Sequence, residues 1–184
     1  MYGMVNNAVR GLVIERYGDS GWATVHSQAG APSNFAPMEP YGDEITYALV
    51  GSIVKSFNAD AAVLLHELGV YWIDKIATVH YSEMLSATGT TFVGFVKNLD
   101  HMHARIRVNF PLYQPPSFRV LVLPDQRLQV DYYSDRPGLM PFVEGLFAAL
   151  ARHFKQRLVI EPVADDTHGM PCKRLLMTVE PLSL

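Results

Sequence analysis

Phe110-Pro-Leu-Tyr-Gln-Pro-Pro-Ser-Phe-Arg119 divides the chain into two kinds of structure. Pro111, Pro115 and Pro116 each lack a backbone N–H and restrict the residue before them, so a helix arriving from the amino side must stop here. Downstream, residues 118–123 and 128–134 read as strands joined through Pro124-Asp125-Gln126, a hairpin. A helix over 138–156 follows, and 158–163 pairs with 173–179 through the turn-rich stretch 165–171. Helices first, then a four-stranded antiparallel sheet with a packed helix, is the α+β class.

Working back from the prolines, a helix is expected over 91–109, a short one over 82–87, and one capped by Asp60 that runs to about residue 79. Another spans 43–57. Gly30, Pro32, Pro37, Pro40 and Gly42 make 29–42 a loop. Val5, Val9, Leu12 and Val13 share one side of a helix over 5–17, Gly18 is a plausible stop, and 19–28 reads as a second short helix. One domain over residues 1–184 is expected, with a helical lobe to about residue 60 and a second lobe from 61.

The 184 residues are 49% hydrophobic and 18% charged, an ordinary globular balance. The net charge is −3 with no basic run, so nucleic acid is not an expected partner. The amino terminus carries no charged segment leading into a long apolar run. No stretch reaches the roughly 20 apolar residues of a membrane span, and a cytoplasmic protein is expected. Cys172 is the only cysteine, which excludes an internal disulfide and a multi-thiolate zinc site within the chain.

Periodicity singles out one of the seven histidines. At about 100° per residue along the expected 91–109 helix, Phe92, Phe95, Val96, Leu99, Ile106 and Phe110 form one stripe with His103 in its middle. His101 points the other way. An imidazole on an apolar face is either a core histidine bonded to a carbonyl or side chain, or a lone nitrogen ligand to an iron held mainly by a porphyrin. In Leu128-Gln-Val-Asp-Tyr-Tyr-Ser-Asp-Arg136 the strand period puts Tyr132, Ser134 and, if the strand continues, Arg136 on one face. Two hydroxyls and a guanidinium suit a carboxylate, although a simply wetted strand face has the same pattern.

On these residues the sequence resembles the haem nitric oxide/oxygen binding (H-NOX) domains, including the haem domain of the soluble guanylate cyclase beta subunit, and in particular the stand-alone bacterial type. The likeness runs through Met1-Tyr-Gly-Met-Val-Asn6, Leu12-Val-Ile, Tyr17-Gly, Asn98-Leu-Asp100, His103 and Pro116-Ser-Phe-Arg119. It is most specific in Tyr132-x-Ser134-x-Arg136 with Gly138-Leu139. The resemblance implies haem b between two lobes, with His103 as the axial iron ligand. It also implies that Tyr132, Ser134 and Arg136 bind the propionates and that Pro116 presses on the porphyrin. Val5, Trp72, Ile76, Phe142 and Leu146 would line the distal side. Oxygen-binding members have a distal tyrosine where Phe142 falls, and phenylalanine donates nothing, so NO and CO are the expected ligands and O2 is not.

The implied mechanism is release of His103 when NO binds, followed by movement that regulates a separate histidine kinase or a cyclic-di-GMP synthase or phosphodiesterase. The chain itself is not expected to be an enzyme: His66-Glu67 has Val70 where a zinc protease needs its second histidine, and no phosphate loop or nucleophile elbow is present. Some members carry a cysteine-rich zinc site near the carboxyl end. Only Cys172 and His168 stand there, so structural zinc is not expected. Two other classes remain open at this point: a non-haem module binding a carboxylate or anionic lipid through Arg136, and a haem carrier without signalling.

Overall fold

The computed structural model describes residues 1–163 and 172–182. Helix α1 (Gly3–Gln28) bends at Gly18, whose φ of 69° is open to glycine and costly for other residues, so the two expected helices are one rod with a kink. Helices α2 (Asp43–Phe57) and α3 (Ala61–Tyr71) follow; the Asp60 carboxylate accepts from Val63 N–H at 2.9 Å and starts α3. The expected helix from Asp60 is not uniform: Trp72–Ala77 winds as a π-helical segment before α4 (Thr78–His80) and α5 (Ser82–Thr88).

The expected 91–109 helix is two helices, α6 (Phe92–Lys97) and α7 (Leu99–Asn109). Asn98 breaks them apart with φ −95° and ψ 3°, and its side-chain amide donates to the Thr88 carbonyl at 2.9 Å. That bond offers the chain an alternative to helical pairing, a common use of asparagine. Strands β1 (Ser117–Val122) and β2 (Leu128–Tyr133) form the first hairpin. Helix α8 (Met140–His153) precedes β3 (Gln156–Pro162) and β4 (Cys172–Pro181). The sheet order is β1-β2-β4-β3, antiparallel throughout, with Phe118 opposite Tyr132 and Val130 opposite Leu175. The expected turn over 165–171 and His168 lie outside the described residues.

Two apolar clusters divide the interior. Val9, Val13, Val25, Leu49, Ile53, Leu64 and Leu68 build one between α1, α2 and α3. Phe92, Phe95, Val130, Phe147, Leu175 and Met177 build the other between α6, α8 and the sheet. Helix α3 and α8 meet at backbone distance, because a Cβ on Gly69 would sit 2.2 Å from the Phe142 carbonyl oxygen and one on Gly145 would sit 2.0 Å from that of His66. Trp72 packs against both clusters. Among the described residues no helix is long and apolar enough to cross a membrane.

Candidate functional site

His103 lies in the second turn of α7, and the break at Asn98 decides how that helix sits. Immediately after the break, the Asp100 carboxylate accepts from Ser117 Oγ at 2.6 Å and from Phe118 N–H at 2.8 Å, which clamps the start of α7 to the start of β1. The stripe is therefore buried unevenly. Phe92, Phe95, Val96 and Leu99 are buried, whereas Met102, His103, Ile106 and Phe110 are half-buried.

The imidazole sits among rings, 6.0 Å from Tyr113 at 76° and 6.2 Å from Phe118 at 41°. Among the described residues its buried Nδ1 makes no well-formed hydrogen bond. Burial lowers the His103 pKa below its ordinary value of 6.5; the Pro116 backbone, which can only accept, and the Asp100 carboxylate pull upward without matching it. The ring is thus neutral at pH 7 and keeps a lone pair, the form in which histidine ligates metals. Pro116 is half-buried directly before β1. Burial pushes the Tyr113 phenol up to about 12, so it is neutral too.

The three carboxylate-binding candidates are not on one strand face. β2 ends at Tyr133, so only Tyr132 is a strand residue, buried and stacked 5.4 Å from Phe118. Ser134 and Arg136 lie in the following turn, where Ser134 Oγ accepts from Arg136 N–H at 3.1 Å. This local hydroxyl-to-backbone bond competes with strand pairing and ends it. The Arg136 guanidinium already holds a carboxylate: Nε donates to Asp43 Oδ2 at 2.7 Å, and a second nitrogen donates to the Gln114 carbonyl at 2.6 Å. Burial pushes Asp43 up, but hydrogen bonds from the terminal ammonium and from Arg136 outweigh it and hold the carboxyl below its ordinary range. Tyr47, one turn along α2, donates to the Pro137 carbonyl at 3.0 Å. The first turn of α2 therefore grips the turn that carries Arg136.

The remaining candidates form an apolar group. Trp72 and Ile76 on the π-helical segment and Phe142 and Leu146 on α8 are all half-buried at the junction of the two clusters, brought together by the Gly69–Gly145 approach. Asp74 in the same segment is tied to Arg152 at 2.6 Å. Val5 is half-buried and packs in neither cluster. Phe118 packs against both His103, at 6.2 Å, and Phe147, at 5.7 Å, so a chain of rings runs from His103 to α8. A hollow of about 210 Å³ beside α7 is lined by Thr88, Asn98, His101 and Arg105 and contains none of the candidate residues.

Sequence reasoning missed Asp43, Asp100 and Tyr113. Asp100 stood inside the quoted Asn98-Leu-Asp100 motif, but nothing local announced its partners; Asp43 acts across 93 positions, beyond any periodic signal.

Comparison with known proteins gives a consistent answer. The haem-NO-binding family description matches residues 2–162. The soluble guanylate cyclase gcy-35 of Caenorhabditis elegans is 30% identical over 171 residues, covering 90% of this chain and 25% of that protein. Soluble guanylate cyclase gcy-31 of the same organism is 23% identical over 96% of this chain and 25% of its own length. The chain thus spans about a quarter of the curated relatives it matches. Among solved structures, an H-NOX protein from S. oneidensis in the Fe(II)NO ligation state superimposes with a TM-score of 0.85 at 20% identity, covering 98% of this chain and 99% of that one. The unliganded Fe(II) H-NOX protein from K. algicida gives 0.83 at 17% identity over the whole of both chains.

Proposed function

The chain belongs to the haem-NO-binding family, and from that premise we propose that it is a haem-based nitric oxide sensor whose His103 is the only protein ligand to the iron. The residues present fit such a group. A neutral imidazole whose buried Nδ1 makes no well-formed hydrogen bond among the described residues stands at the edge of an apolar interior, and Arg136 is placed to pair with carboxylates because it already pairs with one. When bound, haem would supply an iron that takes one ligand from the protein and binds a diatomic gas.

This chain's residues do the rest. His103 on α7 would ligate the iron, Arg136 with the hydroxyls of Tyr132 and Ser134 would hold the propionates, and Pro116 would bear on the porphyrin. Trp72, Ile76, Phe142 and Leu146, with Val5, exclude water on the other side. Phe142 carries no donor, so O2 gains no hydrogen bond there, whereas NO needs none. His103 is carried by α7, so a change in its ligation would be passed to that helix, and a shift of α7 would be the signal read by a separate enzyme, a histidine kinase or a cyclic-di-GMP synthase or phosphodiesterase.

The observation that carries this reading is the buried Nδ1 of His103, without a well-formed hydrogen bond among the described residues, on a ring packed against Phe118 and Tyr113. Protein produced with a haem supply should show a Soret band that moves when NO is added and stays put in air. Pure protein that remains colourless with haemin would overturn the reading in favour of a non-haem carboxylate binder. An NO response with no effect on any candidate partner enzyme would leave a carrier.

A further inference from the structure

Tyr113, in the loop between α7 and β1, has no part in the roles above, yet it is one of the two rings that touch His103. Its ring stands edge-on to the imidazole, 6.0 Å away at 76°, while Phe118 leans on the imidazole at 6.2 Å and 41°. Both rings are braced from behind. Phe118 rests on Tyr132 at 5.4 Å and on Phe147 at 5.7 Å. Tyr113 rests on Tyr2 at 6.0 Å, and Tyr2 packs edge-on against Phe110 at 5.8 Å. The Tyr113 backbone is fixed as well: its N–H donates to the Phe110 carbonyl at 2.9 Å, and the next carbonyl, that of Gln114, accepts from Arg136.

A metal-ligating histidine is ordinarily oriented by a hydrogen bond to its second nitrogen. Here Nδ1 makes no well-formed hydrogen bond among the described residues, although the Pro116 backbone acts on the ring as an acceptor. Rotation about the bond to an imidazole ring is intrinsically broad, and a ligand must be held within about 10–20° of its working orientation. Packing against neighbouring rings then has to supply the rest of the restraint. We propose that Tyr113 is a positioning residue that, together with Phe118, fixes the orientation of the His103 ring by edge-to-face packing, with the phenol hydroxyl dispensable. The proposal rests on His103 being the axial ligand, and it adds that the loop after α7 decides how firmly that ligand is aimed.

The test compares Tyr113→Phe, which keeps the ring, with Tyr113→Leu, which removes it, by two readouts. In the haem-free chain, NMR of the His103 ring reports its mobility. In the haem-loaded protein, the iron–histidine stretching band and the rate of spectral change after NO addition report how well the ring is aimed. Tyr113→Phe should match the parent in both. Tyr113→Leu should loosen the His103 ring, shift and broaden the band, and speed the NO response about two- to tenfold, the range set by one aromatic edge contact, with haem still bound. Should the leucine variant fold poorly by thermal melt, Tyr113→Met carries the same expectation.

A leucine or methionine variant that matches the parent in both readouts overturns the proposal, and so does a phenylalanine variant as disturbed as leucine. If instead the parent shows no iron–histidine band, the ligand assignment has failed. The NMR comparison in the haem-free chain then still decides whether Tyr113 orients the ring.

Discussion

In one part of the candidate site, His103, Pro116, Ser134 and Arg136 sit on a short helix after a break and on two turns, held by hydrogen bonds that the Asp100, Asp43 and Ser134 side-chain oxygens accept. In the other, Trp72, Ile76, Phe142 and Leu146 ride on two helical segments held by glycine-mediated close packing and offer no polar atom except the indole. The first group puts its polar residues on a short helix and two turns braced by hydrogen bonds; the second puts apolar side chains on helical backbone braced by contact. Under the proposed function the first side reports and the second admits the gas, and Phe142, which carries no donor, gives O2 no hydrogen bond there.

The harshest challenge to that division is His103→Gly. If the reporting side depends on one imidazole, the variant should lose the histidine-ligated haem spectrum entirely and regain it only with added imidazole. Absorption spectroscopy before and after imidazole addition reads this directly. A spectrum unchanged from the parent would move the ligand to another residue and dissolve the contrast between the two sides.

The same contrast explains what could be read from sequence. α2 and the four strands follow from periodicity and turn residues, and the Asp60 cap and the Gly18 kink from single residues with strong local preferences. Periodicity singles out His103 as the candidate, although the expected helix is broken at Asn98 and the stripe is buried only on the α6 side and at Leu99. The fates of Ser134 and Arg136 were not legible, because a hydroxyl that accepts from a backbone N–H two residues on ends a strand without altering its alternation. The π-helical turn at Trp72 likewise leaves no mark on composition. Asp43 and Asp100 were invisible for a simpler reason: their partners are brought near only by the tertiary fold.

Next in size is Asp100→Ala, which removes the clamp between α7 and β1. Two hydrogen bonds go, one of them from a backbone N–H to a carboxylate, and the loss should be about 2 kcal/mol of stability in urea unfolding. A change below a few tenths would mean that α7 is held by packing alone, as on the second side. Phe142→Tyr probes that second side in turn. A phenol hydroxyl placed among apolar neighbours gives an incoming O2 a donor and should raise O2 affinity by about tenfold, the worth of one hydrogen bond. Equilibrium binding monitored at the Soret band measures it, and no gain would show that Phe142 does not face the ligand.

The smallest expected effect is a pH dependence at Asp43, where the reporting side is tied to the first turn of α2. Burial alone would raise its pKa, but hydrogen bonds from the terminal ammonium and Arg136 prevail and depress it below the ordinary carboxylate value. A depressed carboxyl binds fewer protons folded than unfolded, so its contribution is fully present above the unfolded value of about 3.9 and fades as pH falls through the lower folded value. The side chain is 36% exposed, so solvent screening limits the contribution to about 1 kcal/mol or less. Asp43→Asn should therefore be slightly less stable than the parent in urea at pH 7 and at pH 5, and the two curves should converge below about pH 4. A gap that persists unchanged into acid would show that the amide has disturbed packing at the start of α2, and that Arg136 is held by the Gln114 carbonyl without help from the helical lobe.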